Sequence, residues 1–132
     1  MELTISRALL DEIRQAAQAS PDREICGLLL GRNSVVAAIR PCANVAADPL
    51  DSFEIDPVAL IAAHRAARAG GMTPIGHYHS HPRGRAAPSR RDAAAAQPGS
   101  YWIIVAGGEV GCWFAASGGR FVAVALADID NR

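Results

Sequence analysis

The sequence contains no lysine; all 13 members of its Lys+Arg count are arginine. That absence removes lysine chemistry outright, whether as a Schiff base, the lysine of a P-loop or a side-chain conjugation site. Net charge is missing as well, because 13 Asp+Glu offset the 13 arginines. A domain that holds nucleic acid by bulk attraction to phosphate needs a basic excess, and an acidic disordered chain needs the opposite. Neither class fits, and nucleic acid is not an expected partner. No apolar run reaches the roughly 18 residues required to span a bilayer. The opening Met1-Glu2-Leu3-Thr4 also lacks the basic and apolar regions of a signal peptide. Three cysteines occur, Cys26, Cys42 and Cys112, none at CxxC spacing, which is not a disulfide framework. A cytoplasmic, reducing location without a membrane partner is the expectation. The glycines nowhere form a dinucleotide-binding or P-loop pattern.

What is present supports a packed core. Half of the 132 residues are hydrophobic, enough for one domain over residues 1–132. Ser6 is a plausible N-cap, and Leu9, Leu10, Ile13, Ala16 and Ala17 follow at helical spacing up to Ser20-Pro21. The run Ile25 to Gly31 suits a buried strand, with Val35 to Ile39 as its hairpin partner across Arg32-Asn33-Ser34. Residues 41–56 show no period and read as an irregular loop. Asp56-Pro57 opens a second helix, which Gly70-Gly71 stops. A strand over Thr73 to His79, a loop from Pro82 to Pro88 and a short helix opened by Ser89 come next. Strands at Tyr101–Val105, Val110–Phe114 and Phe121–Leu126 complete the chain. This order predicts an α/β (α+β) fold, one sheet flanked by helices.

The chemistry concentrates in Gly76-His77-Tyr78-His79-Ser80-His81-Pro82 and in Pro88-Ser89-Arg90-Arg91-Asp92. Residues two apart on a strand share a face, so His79 and His81 can present two imidazoles side by side. Asp92 lies one loop later, in the first turn of the short helix. Two imidazoles and a carboxylate make a three-ligand set for Zn2+ with a position left open, as in catalytic rather than structural zinc sites. Such an ion brings the pKa of a bound water down to about 7, and hydrolysis then needs a general base. Glu24, just ahead of the buried strand, is the candidate, with Glu54 and Asp56 as competitors. Other readings stand beside these. Ser89-x-x-Asp92 also has the form of a capping box, and Asp92 can cap and ligate through different oxygens. His77 shares a face with His79 and His81, so strand geometry alone does not choose the pair. His64 reads as a surface or structural residue of its helix. Cys26 could be a nucleophile, but its apolar neighbours favour an inert thiol. Arg83, Arg85, Arg90 and Arg91 flank the site and could attract an acidic partner or a carboxylate.

In these residues the chain resembles the MPN-plus metalloproteases and their JAMM motif. The resemblance rests on His79-Ser80-His81-Pro82, then Ser89 after seven intervening residues and Asp92 after two more. It extends to Glu24 through Gly31, Asn44, Phe53 through Pro57 and Gly76-His77-Tyr78. It implies an MPN (JAB) domain akin to the cytidine-deaminase-like sandwich, with one mixed, mostly antiparallel sheet. It further implies one Zn2+ per chain held by His79, His81 and Asp92, Glu24 as general acid/base, and Ser89 stabilising the tetrahedral intermediate. His77 falls at a variable position and is not an implied ligand. The long insertions of the eukaryotic deubiquitinating relatives are missing, and the compact prokaryotic members are the better likeness. Their implied task is hydrolysis after the C-terminal Gly-Gly tail of a ubiquitin-like or sulfur-carrier protein. The bond would lead to a cysteine, a short extension or a target lysine, and the tail could bind as an added strand at a sheet edge. Two rival readings are a non-catalytic, metal-stabilised binding module for a carrier protein and a small-molecule zinc hydrolase. For the latter, the HxE and PCxxC elements of the deaminases are absent. The oligomeric state, a homodimer among the options, is left open.

Overall fold

The structure, a computed structural model, describes residues Met1–Asp128. Its elements are β1 (Glu2–Ile5), α1 (Arg7–Gln18), β2 (Cys26–Arg32), β3 (Val35–Cys42), α2 (Pro57–Arg68), β4 (Thr73–Ser80) and α3 (Arg90–Ala95), followed by β5 (Tyr101–Ala106), β6 (Glu109–Ala115), β7 (Phe121–Ala123) and β8 (Ala125–Asp128). The eight strands form one mixed sheet in the order β7-β6-β5-β4-β2-β3-β1-β8. Strand β2 runs antiparallel to β3 and β4, and β5, β6 and β7 form an antiparallel series. The parallel pairs are β4 with β5, and β1 with both β3 and β8. Among the described residues no helix is long and apolar enough to cross a membrane.

The expected helices form where their caps predict. The Ser6 hydroxyl accepts from the Leu9 N–H at 3.2 Å, and α1 buries Ile13 against the sheet. An Asp56 carboxylate oxygen accepts from the Val58 N–H at 3.1 Å, with Pro57 at the first helical position. Strands β2 and β5 are near-continuous apolar runs because both faces of the sheet are covered there. One face carries Leu29, Tyr78, Ile103 and Val105, joined by Leu3, Ile5 and Ile13. The other carries Leu28 and Leu30 beneath Ala63 of α2, and farther along Trp102 and Ile104. Withdrawing side chains of this size from water is worth about 1.5–3 kcal/mol each. The register Tyr78↔Ile103, His77↔Trp102 and His79↔Ile104 shows what the alternation does. Tyr78 goes into the main core, while His77 and His79 face the opposite side.

Two glycines keep this centre closed. A Cβ on Gly27 would fall 2.2 Å from the Tyr78 ring, and one on Gly76 would fall 1.9 Å from the Tyr101 carbonyl oxygen. Any other residue would push β4 away from the neighbour that fixes its register.

Two features differ from the sequence expectation. Residues Glu2–Ile5 form a strand, which local pattern does not reveal because Leu3, Thr4 and Ile5 are buried in succession. The strand expected over Phe121–Leu126 divides at Val124. Its first half pairs with β6 at one end of the sheet and its second half with β1 at the other. A single residue can join the two ends only if the sheet curls until they meet. The closing bonds run from the Val124 N–H to the Cys112 carbonyl (2.9 Å) and from the Ala125 N–H to the Met1 carbonyl (3.1 Å). Residues 41–56 are mostly irregular, as expected, apart from the end of β3 and a bridge between Asn44 and Ile55.

Candidate metal centre

The end of β4 is held from both sides. The Ile25 N–H donates to the Ser80 hydroxyl (2.9 Å), the Ser80 N–H to the Ile25 carbonyl (3.1 Å), and the His81 N–H to the Val105 carbonyl (2.9 Å). His79 on the strand and His81 just past its end therefore keep the same face. Their Nε2 atoms lie 3.0 Å apart, and Asp92 Oδ2 lies 3.3 Å from the first and 3.1 Å from the second. All three side chains are buried.

The donor chemistry of this trio fits a metal ion. The His81 Nδ1–H donates to the Arg85 carbonyl at 2.7 Å, so in the neutral ring Nε2 carries the lone pair, whereas in the metal-free cation it carries a proton towards Asp92. This is the arrangement by which an outer partner sets the tautomer of a ligating histidine. A tetrahedral ion with bonds of about 2.0–2.1 Å separates its donors by roughly 3.3 Å, close to the observed edges. Two ring nitrogens and a carboxylate oxygen aimed at one point, away from water, call for a cation between them or for a proton shared between imidazole and carboxylate.

Asp92 is positioned by α3. Its Oδ2 accepts from the Ser89 N–H (2.9 Å), and the Ser89 hydroxyl accepts from the Asp92 N–H (3.1 Å), which closes a capping box. Capping and clustering are thus both real, but one oxygen serves both roles, not two separate ones as the sequence suggested. The Ser89 hydroxyl keeps its own proton free to donate.

Glu24 is brought in by the antiparallel pairing of β2 with β4, where Cys26 stands opposite His79. Its N–H donates to the Pro49 carbonyl (2.7 Å), and its carbonyl accepts from the Asn44 side chain (2.9 Å). One of its carboxylate oxygens and ring nitrogens of His79 and His81 lie within 4.8 Å of one another. The side chain is 4% exposed, and its Oε1 has no hydrogen-bond partner. Beside it opens a cleft of about 170 Å3, whose lining includes Leu50, Asp51, Arg83 and Ser89.

The electrostatics follow from burial and from the cluster itself. Burial pushes the Glu24 carboxyl from 4.5 up to about 7, with nearby His81 opposing and Asp92 adding to the rise. Burial alone would also raise Asp92, but hydrogen bonds from His79 and His81 outweigh it and hold the carboxyl well below the usual range. Burial pushes His79 down. At His81 burial opposes the cation, but the bonds to Asp92 and Arg85 prevail and the pKa rises. Desolvation pushes His77 down to about 3.

A carboxyl raised in the folded state stabilises it fully below the unfolded value of 4.5, and the contribution is lost as pH rises through about 7. Glutamine at position 24 removes that dependence. In metal-free protein, Glu24→Gln is therefore expected to be near neutral at pH 5 and stabilising by about 2–3 kcal/mol at pH 8. Urea unfolding of both forms at the two pH values measures it.

Several candidates lie elsewhere. Glu54 is exposed, Asp56 caps α2, and His64 is exposed on that helix. His77 stays out of the trio. Its ring centroid is 5.6 Å from that of His79 and 4.2 Å from that of Trp102. Cys26 is buried, and desolvation pushes its thiol up to about 12, an inert state. Arg91 reaches Asp48 at 3.5 Å, while Arg83, Arg85 and Arg90 are exposed. Strands β2 and β4 are paired along both sides, so neither offers an edge for a bound tail to extend. Three participants were not legible as such. Phe53 stacks on the His79 ring at 4.2 Å and 21°, Trp102 packs beside His77, and the Arg85 carbonyl orients His81. Trp102 arrives through the β4–β5 register and Phe53 through a loop without a period, so neither left a local signal.

The fold defines a class, that of the JAB/MPN domain. Within it, this chain belongs to the prokaryotic homologues of the JAB domain, whose family model matches residues 6–116. It is 35% identical over 100 residues to a desampylase of Haloferax volcanii, covering 74% of this chain and 72% of that protein. It is 39% identical over 95 residues to a probable TtuB-protein conjugate cleaving protease of Thermus thermophilus, covering 72% of this chain and 64% of that one. A solution structure from Desulfitobacterium hafniense superposes with a TM-score of 0.79 at 27% identity, covering 95% of this chain and 91% of the other. A JAB1/MPN domain protein of Archaeoglobus fulgidus shares the fold, with a TM-score of 0.60 at 23% identity, over 97% of this chain and 100% of its own.

Proposed function

We propose that this chain is a zinc-dependent peptidase or isopeptidase that hydrolyses the bond after the C-terminal Gly-Gly tail of a ubiquitin-like or sulfur-carrier protein. The observation that carries the reading is the convergence of His79 Nε2, His81 Nε2 and Asp92 Oδ2 at 3.0–3.3 Å, with an unpartnered, buried Glu24 oxygen beside them. The substrate class draws support from the two relatives, one named a desampylase and the other a probable protease that cleaves TtuB–protein conjugates.

His79, His81 and Asp92 would hold one Zn2+, which when bound supplies Lewis acidity and acidifies water toward neutral pH. Every other part belongs to the chain. Glu24, buried and raised to about 7, takes a proton from the attacking water and returns it to the leaving amine. The Ser89 hydroxyl, its acceptor role already used by Asp92, donates to the oxyanion of the tetrahedral intermediate. The cleft beside Glu24, lined by Leu50 and Asp51 on one loop and by Arg83 and Ser89 on another segment, is where the tail would lie.

The test is cleavage of a sulfur-carrier protein whose Gly-Gly tail is extended by a short peptide, in parallel with the same tail linked to a lysine ε-amine. Cleavage after the second glycine, lost on chelation and restored by zinc, is expected. Tight binding of the carrier without turnover would instead indicate a binding module. Ammonia release from a nucleoside would indicate a small-molecule hydrolase.

A further inference from the structure

We propose that Asn44 is a positioning residue for the reaction, setting the placement of Glu24 and of the Phe53 ring that covers His79. The proposal rests on the catalytic reading given above for Glu24.

The Asn44 amide uses its full hydrogen-bonding capacity. Its Nδ2 donates to the Glu24 carbonyl at 2.9 Å and to the Ser52 carbonyl at 3.0 Å. Its Oδ1 accepts from the Ala46 N–H at 3.0 Å and from the Glu54 N–H at 3.1 Å. Two carbonyls on one side and two N–H groups on the other leave a single orientation for the amide. The four bonds join three segments: the entry to β2, the start of the loop and the stretch 52–54.

That junction sits where the site needs it. The Glu24 peptide is clamped at both ends by one loop, through the Pro49 carbonyl and through Asn44. Nothing holds the Glu24 carboxylate itself at Oε1, so its direction depends on the backbone that carries it. Phe53 stands between Ser52 and Glu54, the two residues Asn44 grips, and stacks on His79 at 4.2 Å. Leu50 and Asp51 of the same loop line the cleft. A loop of this length without a period of its own has many accessible conformations, and one satisfied amide selects among them. A displacement near 1 Å at a proton-transferring group can cost on the order of 10²-fold in rate.

Asn44→Asp is the deciding variant. It keeps both acceptor bonds to Ala46 and Glu54 and loses both donor bonds to Glu24 and Ser52. Asn44→Ala loses all four. In the zinc-loaded protein, both are expected to lower kcat about 10- to 100-fold, with KM within about twofold of wild type and one zinc retained. Amide hydrogen exchange supplies a readout apart from activity. The Glu54 and Ala46 amides should lose protection in Asn44→Ala and keep it in Asn44→Asp, while the amides of β5 stay protected in both. A wild-type protein that fails to cleave the carrier substrate would refute the catalytic reading itself. A wild type that cleaves, with Asn44→Asp equally fast, would refute the positioning role. So would a loss of kcat that merely tracks the fraction of folded protein.

Discussion

Replacing Glu24 by glutamine is expected to reduce cleavage of the carrier substrate by about 10²- to 10⁴-fold, the range general acid–base catalysis supplies, with zinc content unchanged. Glutamine has nearly the same shape and fits the same buried space, but it neither takes nor returns a proton. The three atoms that converge within 3.0–3.3 Å belong to His79, His81 and Asp92, and Glu24, with a carboxylate oxygen within 4.8 Å of both ring nitrogens, is proposed as the proton carrier beside them and not as a further ligand. Metal should therefore stay while turnover goes. The stability readout should move the other way. The buried carboxylate costs the fold above neutral pH, and glutamine removes that cost, as is common where a site is built for function rather than stability. Initial rates and zinc analysis on the zinc-loaded protein, and unfolding of its metal-free form, measure all three. An active Glu24→Gln enzyme would sink the assigned role.

The second large effect is expected at Asp92. Asp92→Ala removes one donor of the trio and one half of the capping box in a single change. It should leave the protein without bound zinc after dialysis and without detectable cleavage, with α3 destabilised by about 0.5–1.5 kcal/mol through loss of the bond from the Ser89 N–H, while the Ser89 hydroxyl still accepts from the N–H of residue 92. Asp92→Asn separates the two roles. Its side-chain oxygen still accepts from the Ser89 N–H, so most of the capping loss should be recovered. Its neutral carbonyl is a weak zinc ligand. Affinity should fall beyond the about 10- to 100-fold typical of losing an outer partner. Isothermal titration with zinc and thermal unfolding of the metal-free forms distinguish the contributions. If Asp92→Asn binds zinc like wild type, the carboxylate is only a cap.

The contrast between residues that could be read from the sequence and those that could not has a physical cause. His79 and His81 announce themselves because the twofold period of a strand is local and needs no partner. Asp92 follows because its distance from Ser89 is that of a capping box, also a local device. Glu24 is different, since nothing near it in the chain points to His79. It reaches the cluster because β2 pairs antiparallel with β4, a long-range register; its place just ahead of the buried strand made it a candidate beside Glu54 and Asp56, and the family likeness pointed to it among the three. Asn44, Pro49 and Phe53 lie in a stretch without a period, and their roles come from hydrogen bonds and stacking that no local pattern encodes. The same limit hid β1 and the division at Val124. A single sheet, its flanking helices and the three caps at Ser6, Asp56 and Ser89 were legible, because amphipathic spacing and cap chemistry are properties of neighbouring residues, whereas the mixed strand directions came only with the family likeness.

The measurement that bears most directly on the whole account is the zinc content of protein purified without added metal, followed through chelation and reconstitution against the cleavage rate. The expected result is one zinc per chain, loss of cleavage in step with loss of zinc, and recovery of both on titrating zinc back to one equivalent. Protein that is free of metal as isolated and cleaves the carrier substrate undiminished in the presence of chelator would contradict it.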